Sequence, residues 1–335
     1  MERIKFNDSK HHFYWQCIFP ITLFFTFLLI PPFLSAQTIQ ENNMNSYVGH
    51  RHLTIVDDEK NISFPVLIMY PTHIPSKQIS LGPFVIHSTQ GAPVGDGKYP
   101  IIIISHGTGG THLGYLTIAQ YLTEHGYIVA MPEHYGNNHN NNDLEGTMSN
   151  LENRPRHISL VIDALSGDPQ LKDHGQHNNV AIIGHSMGGY TALAVAGGEP
   201  WSESKEKVKV RADNRIKALV LLAPATYWYI PESSLDNINI PIFMLTAEHD
   251  KPLPSGWHKE TSEIVLSHLP STTPIIFRVV ENAGHFSFLS PFPDSMQSPN
   301  FPPSTDPDGF DRDKFHNALN VEIRTFLDPI LSKQR

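Results

Sequence analysis

The stretch VAIIGHSMGGY, Val180 to Tyr190, restricts the fold more than any other part of the chain. Val180 to Ile183 is apolar and partly β-branched, the pattern of a short buried strand. Tyr190 to Ala196 reads as helix. Between them lies Gly184-His185-Ser186-Met187-Gly188, a G-x-S-x-G turn. A serine on so sharp a turn has a strained backbone, and side chains two residues to either side of it would collide. Glycine stands at both of those places. A helix that starts beside the serine directs its amide groups there and favours developing negative charge. The bland reading of the pentapeptide is a tight structural turn. The strand before it and the helix after it favour a nucleophile instead.

The rest of the chain continues the alternation. Residues 37–60 are polar and read as irregular, Phe64 to Tyr70 as a first strand, and Ile74 to Gly82 as a loop. A short apolar piece, Phe84 to His87, precedes a Gly/Pro-rich loop from Gly91 to Lys98. Ile101 to Ile104 is a run of isoleucine, as in a parallel strand buried on both faces. It leads into His106-Gly107-Thr108-Gly109-Gly110, a turn of the kind that supplies one backbone N–H of an oxyanion hole. A helix from Leu113 to His125 and a strand from Tyr127 to Met131 follow. The run NNHNNND after His134 offers His134, His139 and Asp143 as metal ligands, but reads as a flexible polar loop. Asn153-Arg154-Pro155 looks like a helix start, with Ile158, Val161, Ile162 and Leu165 on one face. Gly197 to Asn214 reads as a surface insertion. Strands at Ile216 to Ala223, Pro241 to Ala247 and Pro274 to Val280 frame a helix at Trp257 to His268. A Pro-rich loop, Pro291 to Pro307, precedes a last helix from Asp311 to Leu327.

Alternating strands and helices predict an α/β fold: a mostly parallel central sheet with helices on both faces. Ligands in such sheets bind beyond the carboxyl ends of the strands. The candidate turns all follow strands, so they gather at one sheet edge.

Composition narrows the rest. With 335 residues, 40% of them hydrophobic and 17% charged, the chain can bury a sizeable core. A net charge of -9 argues against a nucleic-acid partner. Arg3, Lys5 and Lys10, then an apolar run from Ile18 to Leu34, then Ser35 and Ala36, form a secretory signal pattern. Pro20, Pro31 and Pro32 and the shortness of the run disfavour a spanning helix, which wants about 20 apolar residues. Residues 1–36 are therefore expected to be a signal peptide and 37–335 one exported domain, periplasmic or extracellular, with no stable membrane span after cleavage. The single cysteine, Cys17, falls within the leader. The mature chain would hold no disulfide, no thiolate metal site and no cysteine nucleophile. Composition sets no oligomeric state.

A serine hydroxyl needs a base to take its proton and a third group to orient that base. In chain order these are Ser186, Asp250 and His285, each just after a strand. Glu248 is a rival acid two residues before Asp250. Asp236 precedes its strand and would lie at the wrong edge. His106, His134 and His185 are read as structural.

These residues carry a resemblance. The stretches SHGTGG, GYIVAMPEHYGN, IIGHSMGGYTALA, IKALVLLAPA, AEHDKPLP, NAGHFSFL and DRDKFHNALN look like the α/β-hydrolase fold. Within it they resemble the esterases similar to platelet-activating-factor acetylhydrolase, whose bacterial members are often labelled predicted dienelactone hydrolases. The likeness runs from about Pro100 to Leu327. It implies a serine hydrolase acting on carboxylic esters, with an oxyanion hole made by the backbone N–H groups of Thr108 and Met187. True dienelactone hydrolases use a cysteine nucleophile, and position 186 is serine, so dienelactone hydrolysis does not follow.

The expected partner is a small ester substrate, and the mechanism calls for no metal or organic cofactor. Tyr227, Trp228 and Phe286 lie in loops leaving the sheet near Ser186 and are expected to wall an apolar pocket. One rival is a peptidase or amidase on the same scaffold, for which the chain lacks the length of a propeller. Another is a non-catalytic relict, although all three candidate residues are present.

Overall fold

The computed structural model describes residues 46–250 and 257–331. The expected signal peptide and its cleavage site lie outside the described residues, as does the Lys251 to Pro254 part of the acid-bearing turn.

The sheet grows outward from the isoleucine run. Strand β5 (Tyr99–Ser105) pairs in parallel with β7 (Gly175–His185) on one side and β6 (Ile128–Pro132) on the other. Three more parallel strands, β8 (Ile216–Leu222), β9 (Ile242–His249) and β10 (Ile275–Gly284), extend it past β7. Beyond β6 the sheet turns mixed, through β2 (Ile62–Thr72), β1 (Tyr47–Asp57), β4 (Phe84–Gln90) and β3 (Lys77–Leu81). The central strands have apolar residues facing both ways because both faces are covered. Ile101 and Ile103 pack on the side of α2 (Met148–Gly167) and α3 (Met187–Val195). Ile102 and Ile104 pack on the side of α1 (Leu116–Glu124) and α5 (Arg312–Leu331). All four isoleucines are buried, which is worth about 1.5–3 kcal/mol for each side chain. The remaining helix, α4 (Trp257–His268), packs Val265 on the α2/α3 side.

β1, β3 and the start of α2 depart from the sequence reading. β1 occupies part of the segment expected to be irregular. Its buried side includes His50, which is hydrogen-bonded at 2.8 Å to Ser88, so a polar residue masks the strand's period. β3 is a short edge strand with no fully buried residue, which leaves no apolar alternation to read. Helix α2 starts at Met148, capped by Thr147, whose hydroxyl accepts the Asn150 N–H at 3.2 Å. Pro155 therefore lies inside the helix rather than at its start. A proline there deprives the carbonyl four residues earlier of its donor. That carbonyl belongs to Leu151, and the Tyr190 hydroxyl of α3 donates to it at 2.9 Å.

The asparagine-rich segment after β6 is a knit loop rather than a flexible one. Asn137 and Asn138 are buried. The Asn138 side chain donates to the His134 carbonyl at 2.8 Å and accepts the Asn140 and Asn141 amides. Among the described residues, no helix is long and apolar enough to cross a membrane.

Candidate active site

β7 runs straight into α3 with only Ser186 between them, and the serine absorbs the whole turn. Its backbone sits at φ 54 and ψ -120, a left-handed conformation that a side-chain-bearing residue rarely adopts. The elbow is held on both sides. The Ser186 N–H donates to the Leu222 carbonyl at 3.0 Å, and the Ser186 carbonyl accepts the amides of Gly189 and Ala225, each at 2.8 Å. The flanking glycines are required sterically. A Cβ on Gly184 would overlap the Gly188 carbonyl, and one on Gly188 would overlap the Ser105 carbonyl. Strain of this kind, over-determined by its surroundings, is characteristic of functional sites.

Asp250 follows β9 and His285 follows β10, adjacent parallel strands. The His285 Nδ1–H donates to Asp250 Oδ1 at 2.9 Å. Both side chains are largely shielded, at 11% and 6% exposure. Glu248 is exposed and points elsewhere: its Oε2 accepts the Asn282 amide at 2.8 Å. The geometry thus couples Asp250, not Glu248, to the histidine. Ser186, Asp250 and His285 all line one cavity of about 920 Å³. Among the described residues, Ser186 and His285 are not directly hydrogen-bonded; such contacts commonly tighten only around a bound substrate.

Thr108 and Met187 line the same cavity, one after β5 and one at the first position of α3. Among the described residues, no protein acceptor takes either backbone N–H. Trp228 and Phe286 also line the cavity, as expected. Tyr227 does not. Its ring packs edge-on against Trp228 at 5.3 Å, and a hydrogen bond with Glu203 pushes its hydroxyl up to about 12. A larger share of the wall comes from stretches that the sequence marked only as an insertion and a loop. Ser202, Glu203 and Glu206 of the insertion, and Pro302 and Pro303 of the Pro-rich loop, face the cavity. Their sequence gave no sign of this because loop placement follows from the fold rather than from local pattern.

His185, read as structural, sits directly behind the candidate base. Its Nε2–H donates to the His285 carbonyl at 2.9 Å. That leaves Nδ1 to accept from the Tyr115 hydroxyl, also at 2.9 Å. Burial pushes His185 down to about 3, so it is neutral, and burial raises Tyr115. Tyr115 was not singled out in the sequence; only the buried polar partner reveals it. Among the described residues, no group of three or more His, Cys, Asp or Glu side chains is arranged to hold a metal ion.

The mostly parallel sheet, the serine elbow between β7 and α3, and the candidate acid and histidine after β9 and β10 are arranged as in an α/β-hydrolase fold. Residues 78–241 match the family described as chlorophyllase. The chain is similar to "Cutinase est1" of Thermobifida alba, 25% identical over 197 residues, covering 58% of this chain and 56% of the relative. It is similar to the "Platelet-activating factor acetylhydrolase" of Cavia porcellus, 26% identical over 194 residues, covering 45% of this chain and 41% of that one. A solved structure, a ferulic acid esterase from Streptomyces cinnamoneus, superposes with a TM-score of 0.67 at 19% identity, over 85% of this chain and 90% of the other. The chain spans about half the length of the curated relatives it matches. Its fold is that of the α/β-hydrolases.

Proposed function

We propose that this chain is an exported serine hydrolase that cleaves carboxylic esters with short acyl or aryl groups. The observation that carries the reading is the strained Ser186 facing the same cavity as a His285 already hydrogen-bonded to a shielded Asp250. The names of its relatives, a cutinase, an acetylhydrolase and a ferulic acid esterase, support ester substrates.

Ser186 Oγ attacks the ester carbonyl while His285 Nε2 takes its proton. Asp250 holds the imidazole by Nδ1 and stabilises its charged form. The amides of Thr108 and Met187 receive the oxyanion, each worth about 2.7–4 kcal/mol in the transition state. Collapse of the tetrahedral intermediate expels the alcohol, which takes the proton from His285, and leaves an acyl-enzyme. Water, deprotonated by His285, then releases the acid. The three side chains and two amides supply nucleophile, proton transfer and charge stabilisation, so the reaction calls for no metal or organic cofactor. Trp228 and Phe286 give the acyl or aryl group an apolar wall.

Purified protein is expected to turn over p-nitrophenyl acetate through hexanoate. Ser186→Ala should lower kcat roughly 10³-fold or more, because nucleophile and base act as a unit. A Ser186→Ala protein that keeps most of its activity overturns the assignment. Export is tested separately: the mature protein should begin near Gln37, and native protein that reads from Met1 would contradict it.

A further inference from the structure

Arg154 is the largest fully buried side chain of the molecule's described part, with 0% exposure, and it lies close to the proposed oxyanion site. Among the described residues no carboxylate pairs with it. Burying a guanidinium without a counter-ion is costly unless its donors are satisfied. Here four of the five N–H groups have acceptors, and these lie beside the proposed oxyanion donors. One terminal nitrogen donates to the His106 carbonyl, and also to Ser105 Oγ at 3.4 Å. The other terminal nitrogen donates to Asn137 Oδ1 at 2.6 Å. Nε donates to Thr191 Oγ1 at 3.0 Å, and the Thr191 hydroxyl in turn donates to the Met187 carbonyl at 3.0 Å.

The two carbonyls belong to the peptides next to the two proposed oxyanion donors. The His106 carbonyl immediately precedes the peptide that carries the Thr108 N–H. That next peptide is held through its Gly107 carbonyl by His106 Nδ1–H at 2.7 Å. The Met187 carbonyl immediately follows the peptide that carries the Met187 N–H. Thr108 lies after β5 and Met187 starts α3, so no single element sets the distance between them. A planar guanidinium with donors in a fixed fork can tie two such elements together; a lysine ammonium on a flexible stem cannot. Burial pushes Arg154 down to about 9, which leaves it protonated at neutral pH, with four of its five N–H groups in the hydrogen bonds above.

We infer that Arg154 is a positioning residue that fixes the spacing of the Thr108 and Met187 amides and thereby the rate of the chemical step, without touching substrate. The inference rests on the serine-hydrolase reading above. Misplacing a preorganised donor costs transition-state stabilisation and leaves ground-state binding nearly unchanged.

The test uses the full chain with p-nitrophenyl butyrate as substrate and phenylboronic acid as a tetrahedral analogue. Arg154→Met, checked for folding by near-UV circular dichroism, should lose about 10²-fold in kcat. Its KM should stay within about 3-fold of the parent, the split expected of a transition-state interaction. Phenylboronate inhibition should weaken in parallel with kcat. Arg154→Lys should not restore kcat, because one ammonium on a flexible stem cannot hold the His106 carbonyl and the Thr191 hydroxyl in the guanidinium's fixed geometry. Thr191→Val removes only the link to Met187 and should lower kcat roughly 10-fold, a fraction of the cost of losing a donor outright, with KM unmoved. A folded Arg154→Met with parental kcat, or one that loses kcat but keeps full phenylboronate affinity, overturns the inference. Should Arg154→Met fail to fold, Thr191→Val decides: parental kcat overturns the inference and a KM-neutral loss supports it. Ser186→Ala run alongside separates the two levels. An active Ser186→Ala removes the underlying reading, whereas an inactive one beside a fully active Arg154→Met removes only the role of Arg154.

Discussion

At the residue scale the site rests on a choice between carboxylates that the sequence leaves open. Asp250 and Glu248 follow the same strand two residues apart, so pattern cannot separate them. The structure does, by sending Glu248 to the Asn282 amide and Asp250 to His285. Asp250→Asn should therefore lower kcat by about 10³–10⁴-fold, as expected when the imidazole loses its orienting carboxylate. Glu248→Gln should stay close to the parent, and parallel p-nitrophenyl butyrate assays of the two variants settle the order. Trp228 belongs to the wall, where binding is shared by ground and transition states. Trp228→Ala should raise KM more than it lowers kcat; an unchanged KM for every ester from acetate to hexanoate would remove Trp228 from the pocket. Ser186 and His285 could be proposed from the sequence because the expected chemistry needs particular residues at strand ends. Tyr115 and Arg154 were not readable, because each acts through partners more than 30 residues away in the chain that only the fold brings near.

At the scale of elements, the strands that read most clearly were those buried on both faces, Ile101 to Ile104 above all. The inner strand β1 was hidden by a buried histidine and the edge strand β3 by exposure. Helix α2 shows how tertiary contact overrides local signal. Pro155 marks a helix start by sequence, yet the helix runs through it because Tyr190 supplies the donor that proline lacks. Tyr190→Phe removes that donor and leaves the Leu151 carbonyl buried without it. The expected loss is about 1–3 kcal/mol in urea unfolding. Restoring the helix's own donor through Pro155→Ala in the same chain should recover part of it, and a non-additive double-mutant cycle is the signature of the contact. Strictly additive effects would show that the hydroxyl and the proline are unrelated.

At the scale of the whole molecule, the 20 histidines acquire a partial physical role. His106, His134, His157, His185 and His316 are buried, and burial lowers each of them, His157 and His185 to about 3 and His316 to about 4. The folded protein keeps them neutral, while the unfolded chain takes up protons below an ordinary value of 6.5. The unfolded state therefore binds more protons, and stability falls as pH drops through the range from about 6.5 to 3. Each such histidine withdraws about 1.4 kcal/mol per pH unit within that window. Since whole-domain stability is only about 5–15 kcal/mol, the melting temperature should fall steeply between pH 6.5 and 5. A melting temperature that is flat across that interval would show that these histidines are not held neutral. The fold as a whole was legible from alternation, and the proposed function starts from three residues placed after strands; the cavity wall and the supporting network came only with the packing. The central claim, that Ser186 is an activated nucleophile, is tested most directly by labelling the purified protein with a fluorophosphonate and mapping the adduct by peptide mass spectrometry. Stoichiometric modification at Ser186 is expected, abolished in both Ser186→Ala and His285→Ala. An unlabelled parent protein, or an adduct carried by any other residue, would contradict it.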